Sequence, residues 1–391
     1  MIKKINPSLL VNPILVYILV WGLILFLCSL KLTSQLIDIP DVGLIMILMG
    51  FITMILAYLI SAGLVNNRVR NFIVNNEYLR NCAKILLKIW VFGSLLDIIY
   101  SGGLPLAWIL IGDYSKNYTD FGIPSLHGVL NACFLQAVSI YFYLWCIDKR
   151  GGDLRLLLIL LFWPILMLGR GIFLSAVIQM CAIYLMLNKV RFSNFIKLLC
   201  MAGFLVFLFG LLGDIRNTPN PFDYLLDNQS REIFDGLPSG FLWVYIYITS
   251  GINNIFYNID IISPSFYPNY SLSNLIPSSI KMILHLDPRN DALIFADDNL
   301  NISTNYSGFF SDFGPIGAVF CIYIIQQIAV YLYIKTKSGK VQFILAYSVM
   351  FQVLIFSGFY DMFLLLPTLM QLFIAYIIGN NISKKSYKNS V

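Results

Sequence analysis

Three side chains in this sequence of 391 residues have the type and setting to do chemistry: Arg170, Arg216 and His127. Arg170 lies between two glycines, Gly169 and Gly171, inside an otherwise apolar stretch. A guanidinium at membrane depth is costly and as a rule faces a cavity or an anionic partner, and flanking glycines allow close approach. Its alternative role is to snorkel to the interface and pin a turn. Arg216 closes the stretch Gly210-Leu211-Leu212-Gly213-Asp214-Ile215-Arg216 at a similar expected depth. Two permanent, fork-shaped cations at helix ends suit bidentate capture of a pyrophosphate, a task a flexible lysine does less well. The competing role for Arg216 is a local ion pair with Asp214. His127 stands in Gly122-Ile123-Pro124-Ser125-Leu126-His127-Gly128, and the chain has only one other histidine, His285. An imidazole accepts a proton near neutral pH, so His127 is a candidate general base toward a hydroxyl, with His285 and Asp235 behind it. The plainer role is to tie down a helix start.

Two further stretches supply candidate binding residues. Trp243, Tyr245, Tyr247 and Tyr257 fall in or beside Gly240-Phe241-Leu242-Trp243-Val244-Tyr245-Ile246-Tyr247-Ile248-Thr249-Ser250, which runs on into Asn253 and Asn254. Aromatics are expected at any membrane interface. Here they accompany a segment too short to span comfortably, which makes Trp243, Tyr247 and Asn254 candidates for an acceptor platform. The stretch Asn305-Tyr306-Ser307-Gly308-Phe309-Phe310-Ser311-Asp312-Phe313-Gly314 leads into another apolar run and adds Tyr306 and Asp312. A carboxylate at such an edge caps free amides and favours the helix dipole, or orients an arginine. Asp38 with Asp41, and Asp297 with Asp298, are the only paired carboxylates expected outside the membrane, and two such residues do not fill a hard-cation site. No metal and no cofactor is therefore expected. Sequons such as Asn117-Tyr118-Thr119 are incidental in an Asn-rich chain.

The elements that must position these residues are apolar helices. Hydrophobic residues make up 59% of the chain and charged residues 12%, far below the roughly 25% of soluble domains. Runs of about 20 apolar residues recur from end to end, which predicts one membrane-embedded domain over residues 1–391. The seven cysteines lie in these runs and suggest neither disulfides nor a metal site. Apolar windows predict ten spans, near residues 13–30, 42–64, 85–100, 127–147, 156–168, 172–188, 196–213, 314–334, 342–359 and 362–379. With the N-terminus inside, every inner loop is basic, as with Arg68, Arg80, Lys149, Arg150, Lys189, Arg191, Lys335 and Lys384. Lys3 and Lys4 precede the first span, which reads as uncleaved because no convincing cleavage site follows. Residues 156–188 read as a hairpin turning at Gly169-Arg170-Gly171, since a single long helix there would strand basic residues outside. The first arm is short, so its tip is expected below the membrane surface. The largest polar segment, 214–313, is then an outer, periplasmic loop with short surface helices, and the apolar stretch 240–258 is expected to lie at the outer surface of the membrane.

These residues resemble those of the bacterial O-antigen polymerases, the Wzy-type polymerases of lipid-linked oligosaccharide repeat units. The likeness rests on the stretch from Gly122 to Ala132, the Gly169-Arg170-Gly171 turn, the stretch ending at Arg216, the stretch from Pro238 to Ser250, and that from Asn305 to Gly317. Together these cover about half the chain, and their order is more specific than any one string. The resemblance implies an all-α polytopic enzyme of the GT-C kind in the bacterial inner membrane, with both termini cytoplasmic. It further implies transfer of a growing glycan from undecaprenyl pyrophosphate onto the next lipid-linked repeat at the periplasmic face, without a nucleotide sugar. Arg170 and Arg216 would then hold the donor's pyrophosphate, and His127 would be the candidate base. The implied partners are undecaprenyl-pyrophosphate-linked oligosaccharide, membrane lipids and, as a candidate, a chain-length regulator protein; nucleic acid is not implied.

Three other functions stay open at this level. An O-antigen ligase shares the donor and passes the glycan to lipid A core. A flippase or transporter of lipid-linked oligosaccharide would line a central path between two related halves, and no such halves are visible. A metal-dependent transferase using a lipid monophosphate sugar would put Asp38 and Asp41 to work.

Overall fold

The computed structural model describes residues 9–64, 76–113, 115–116, 118–188, scattered positions between 196 and 214, and then 222–276, 278–284, 293–297 and 300–388. Every regular element among these is helical. The helices are α1 (Pro13–Ser29), α2 (Asp41–Leu64), α3 (Asn76–Ser101), α4 (Pro105–Leu110), α5 (Leu126–Asp148), α6 (Gly151–Leu166) and α7 (Arg170–Leu187). After them come α8 (Asn228–Asp235), α9 (Ser239–Asn258), α10 (Asn269–Leu272), α11 (Ser278–Leu284), α12 (Ser307–Thr336), α13 (Val341–Phe356) and α14 (Leu366–Lys388). Four of them, α2, α5, α7 and α12, are each long and apolar enough to cross a membrane, and α1 and α13 are shorter apolar helices.

Helix α5 is the axis of the bundle. It packs on α3, α6, α7 and α14, and α13 closes the group by packing on α7 and α14. A second layer, α1, α2 and α12, leans on α13. The burial pattern follows from this: α5 is buried nearly all round, whereas α2 turns Ile45, Leu48, Ile52, Leu59 and other apolar side chains outward. An exposed apolar face of that kind needs an apolar solvent. Against α12, α2 presents Gly50, and space there is tight. A Cβ on Gly50 would lie 2.2 Å from the Tyr306 hydroxyl and 2.6 Å from that of Tyr17, and its carbonyl accepts from Gln326.

The predicted hairpin is present as two helices. α6 ends at Leu166, the chain turns through Met167, Leu168 and Gly169, and α7 begins at Arg170. The left-handed residue of the turn is Leu168 (φ 52°), not either glycine. α6 has 16 residues, roughly 24 Å of helix against a hydrocarbon core of roughly 30 Å. At the opposite end of the bundle Arg80 of α3 is clamped between Asp153 of α6 and Asp148 of α5, so the α5–α6 turn is tied by charge.

Helix α12 starts earlier than the predicted span and breaks in the middle. Gly314 has φ 70° and Pro315 follows it, so the helix is two helices joined by a kink. Pro315 has no N–H for the Ser311 carbonyl; that oxygen instead accepts from Ser265, and the Asp312 carbonyl accepts from Phe266. The kink therefore recruits the 265–266 segment. Helix α9 covers the apolar stretch 240–258. Two thirds of α9 is buried, against α1, α8 and residues 294–304, because asparagines on its faces bond neighbouring backbone.

Candidate functional site

Arg170 is the first residue of α7, and it is buried. Its guanidinium lies 5.0 Å from the Trp243 ring centre and 5.8 Å from that of Tyr247, both one helix away on α9. Cation–π contact of this kind disperses a buried charge over aromatic faces. Trp243 is itself held: its indole N–H donates to Asp214 Oδ1 at 3.0 Å, and Asp214 Oδ2 accepts from the Ser239 hydroxyl. Glycines make the contact possible. A Cβ on Gly213 would meet Trp243 at 2.7 Å and Arg170 Nη1 at 3.1 Å, and Gly210 and Gly240 bring their backbones within the space a side chain would fill.

Beneath Arg170 a cavity of about 410 Å³ opens between α5, α7, α13 and α14. Gly171, Asn301 and Tyr360 form its exposed rim. The walls are largely apolar, with Leu135, Ile172, Phe356 and Phe359 among them. The floor is polar and buried. Ser139 donates to Gln179, whose amide donates to the side-chain oxygens of both Gln352 and Gln371, the latter at 2.9 Å. Gln352 donates to Ser175, and Ser175 donates to the Gly171 carbonyl. Gly171, Ser175 and Gln179 are spaced by four along α7, so this chain of hydrogen bonds descends about 12 Å from the rim. Pairing of this kind offsets the cost of burying amides. Among the described residues that line the cavity there is no Asp, Glu or His.

Of the sequence-predicted residues, the structure brings Arg170, Trp243 and Tyr247 together. Arg216 and His285 lie outside the described residues. His127 opens α5 but does not line the cavity; its Nδ1 is 2.8 Å from Asp97 Oδ2, and Asp97 Oδ1 accepts from the Ile123 N–H. The helix-start role is thus the visible one, and Gly122 (φ 95°) leaves room for the imidazole. Asn254 is buried on α9. Its amide donates to the Leu300 and Ile302 carbonyls and its oxygen accepts from Ala296, so it fixes the strand of chain that brings Asn301 and Ile302 to the cavity. Tyr306 is a core residue, bonded to the Tyr17 hydroxyl at 2.7 Å and stacked edge-on with Trp21. Asp312 is wholly buried and caps not its own helix but α10, accepting from the Tyr270 and Ser271 N–H groups. Asn254 and Asp312 share a feature: in a buried polar loop, side chains are first used to satisfy backbone.

Tyr245 faces away from Arg170 and ties the first long loop, accepting from the Leu32 N–H and donating to the Leu27 carbonyl. Burial pushes its hydroxyl up to about 12, so it stays a neutral donor. Asp38 is exposed and paired with Lys31, and among the described residues no three His, Cys, Asp or Glu side chains gather as metal ligands. Sequence reasoning missed Asp214 as the holder of Trp243, Asp97 as the partner of His127, and the glutamines of the floor. A signal for the last existed: Gln179, Gln352 and Gln371 each interrupt an apolar run. Comparison of the chain with protein-family models, curated proteins and solved structures found no match.

Proposed function

We propose that this protein is a lipid-linked glycan polymerase of the O-antigen type. It would be a ten-span inner-membrane enzyme, GT-C-like, with both termini cytoplasmic and residues 214–313 periplasmic. One observation carries the reading: Arg170 is buried against Trp243 and Tyr247 at the mouth of a cavity of about 410 Å³ inside a helical bundle. A planar guanidinium at the mouth of such a cavity suits bidentate binding of an anion, and a pyrophosphate bound to a lipid would reach it from the bilayer. The meeting of the stretches around Arg170, Gly213 and Trp243, three of those that carry the resemblance, supports it further.

In this reading Arg170 binds the donor's pyrophosphate and neutralises charge as the anomeric carbon–oxygen bond breaks. Arg216, two residues beyond Asp214 in sequence, is proposed as the second cation. The acceptor hydroxyl attacks the anomeric carbon as its bond to the pyrophosphate oxygen breaks, the glycan moves to the acceptor, and undecaprenyl pyrophosphate leaves, its departing oxygen taking up the hydroxyl proton. Pyrophosphate is a good leaving group, so positioning and arginine charge carry the reaction.

The test is gel analysis of lipopolysaccharide from a strain deleted for the gene, complemented with wild type, Arg170→Ala or Arg216→Ala. Core carrying one repeat, restored to a ladder by wild type alone, is expected. Core carrying no repeat in the deletion strain would mean a ligase, and an untouched ladder would remove the polymerase.

A further inference from the structure

The floor of the cavity holds polar groups that the fold does not use. Asn131 on α5 and Thr368 and Gln371 on α14 line it, and each is more than nine-tenths buried. Among the described residues the Asn131 amide, the Thr368 hydroxyl and the Gln371 NH₂ have no hydrogen-bond partner; the Gln371 oxygen alone is taken, by Gln179. Thr368 and Gln371 are three residues apart and share a face of α14, which packs on α5. Asn131 is four residues from His127, one turn into α5. Three buried polar side chains from two helices therefore converge on one space.

Their chemistry discriminates between occupants. A hydrocarbon tail in this floor would leave the Asn131 and Gln371 donors permanently unbonded, a desolvation penalty that hydrogen-bonded occupants avoid. A second phosphate would meet no cation there, since Arg170 is the only Lys or Arg among the described residues of the lining. A neutral, hydroxyl-bearing ring satisfies both conditions: amides and a threonine bond its oxygens, while Phe356 and Phe359 cover its apolar faces.

We infer that Asn131, Thr368 and Gln371 form a saccharide subsite, which takes the sugar attached to the pyrophosphate held at Arg170. This rests on the donor-pyrophosphate reading of Arg170. The sugar points into the bundle from the rim, and the three side chains select which ring is accepted by the oxygens it offers. Gln371 is oriented by Gln179 and Ser139, so its NH₂ faces the cavity rather than its oxygen.

The experiment measures binding to the full-length protein in lipid nanodiscs with two ligands: undecaprenyl pyrophosphate, and the lipid-linked oligosaccharide that the deletion strain accumulates. Wild type is expected to prefer the glycosylated lipid. Asn131→Leu and Thr368→Val, which break no hydrogen bond within the protein, should reduce that preference about tenfold while leaving undecaprenyl pyrophosphate binding unchanged. Arg170→Ala should weaken both ligands alike. A wild-type preference that survives in both floor variants, or no preference at all, overturns the saccharide subsite and leaves the pyrophosphate reading standing. Failure of wild type to bind either lipid, or a deletion strain without such a lipid, removes that reading and the subsite with it.

Discussion

Arg170 keeps its charge in a buried place because Trp243 and Tyr247 share it and because Gly213 yields the space it needs. Trp243 in turn is aimed by Asp214. If this aiming matters, removal of the ring should act through the arginine. A desolvated cation–π contact is worth about 2 kcal/mol, so Trp243→Leu is expected to lower the proposed polymerisation roughly thirtyfold, read as shortened ladders and as initial rate in membranes. Asp214→Asn keeps an oxygen for the indole and should change little; Asp214→Leu should resemble Trp243→Leu. Equal rates for all three would detach Trp243 from the site. Arg170→Lys is a sharper probe: a lysine retains the charge but not the planar fork, and the proposed chain extension is expected to fall by at least about tenfold with normal protein abundance.

Helices meet here where small residues let them, and polar loops are held where asparagines let them. At the α2–α12 crossing, the Gly50 Cα sits under the Tyr17 and Tyr306 hydroxyls. Overpacking a core of this density costs about 1–3 kcal/mol, so Gly50→Ala should lower the unfolding midpoint in detergent, and adding Tyr306→Phe should recover part of the loss. Additive losses would place the strain elsewhere. On α9, Asn254 makes three hydrogen bonds to the 296–302 backbone. Asn254→Leu leaves those groups unbonded and is expected to cost on the order of 3 kcal/mol, with hydrogen exchange rising in residues 293–304 before the rest of the chain. Protection that is unchanged there would show that other contacts hold the segment. Such loop-tying residues were read from the sequence as substrate contacts because their types suit both tasks. An asparagine's amide mimics a peptide group, and only the path of the neighbouring chain shows which peptide it completes.

Across the whole molecule, the Arg170 end and the Arg80 end of the bundle are opposite, with α5 running between them. The proposed topology sets the first outside and the second inside. Alkaline phosphatase fused after Lys116 or Asp235 should be active, and fused after Arg150 or Ser338 inactive, with the reverse pattern for a fluorescent reporter that folds only in the cytoplasm. Activity after Arg150 would overturn the hairpin's assignment to the outer side. Composition and apolar periodicity were enough to determine that the described residues are helical, with helices long and apolar enough to cross a membrane, and the paired short runs around Gly169 were enough to determine the α6–α7 hairpin. Both are local: a helix closes its own hydrogen bonds, so its existence depends on the residues within it. The site is not local. Arg170 and Trp243 are 73 residues apart in sequence, and the cavity floor joins Asn131 to Gln371 across four helices. Which of several similar arginines, aromatics and asparagines meet was decided by the tertiary structure, because glycine contacts set how closely the helices approach and the backbone's need for partners claims polar side chains first.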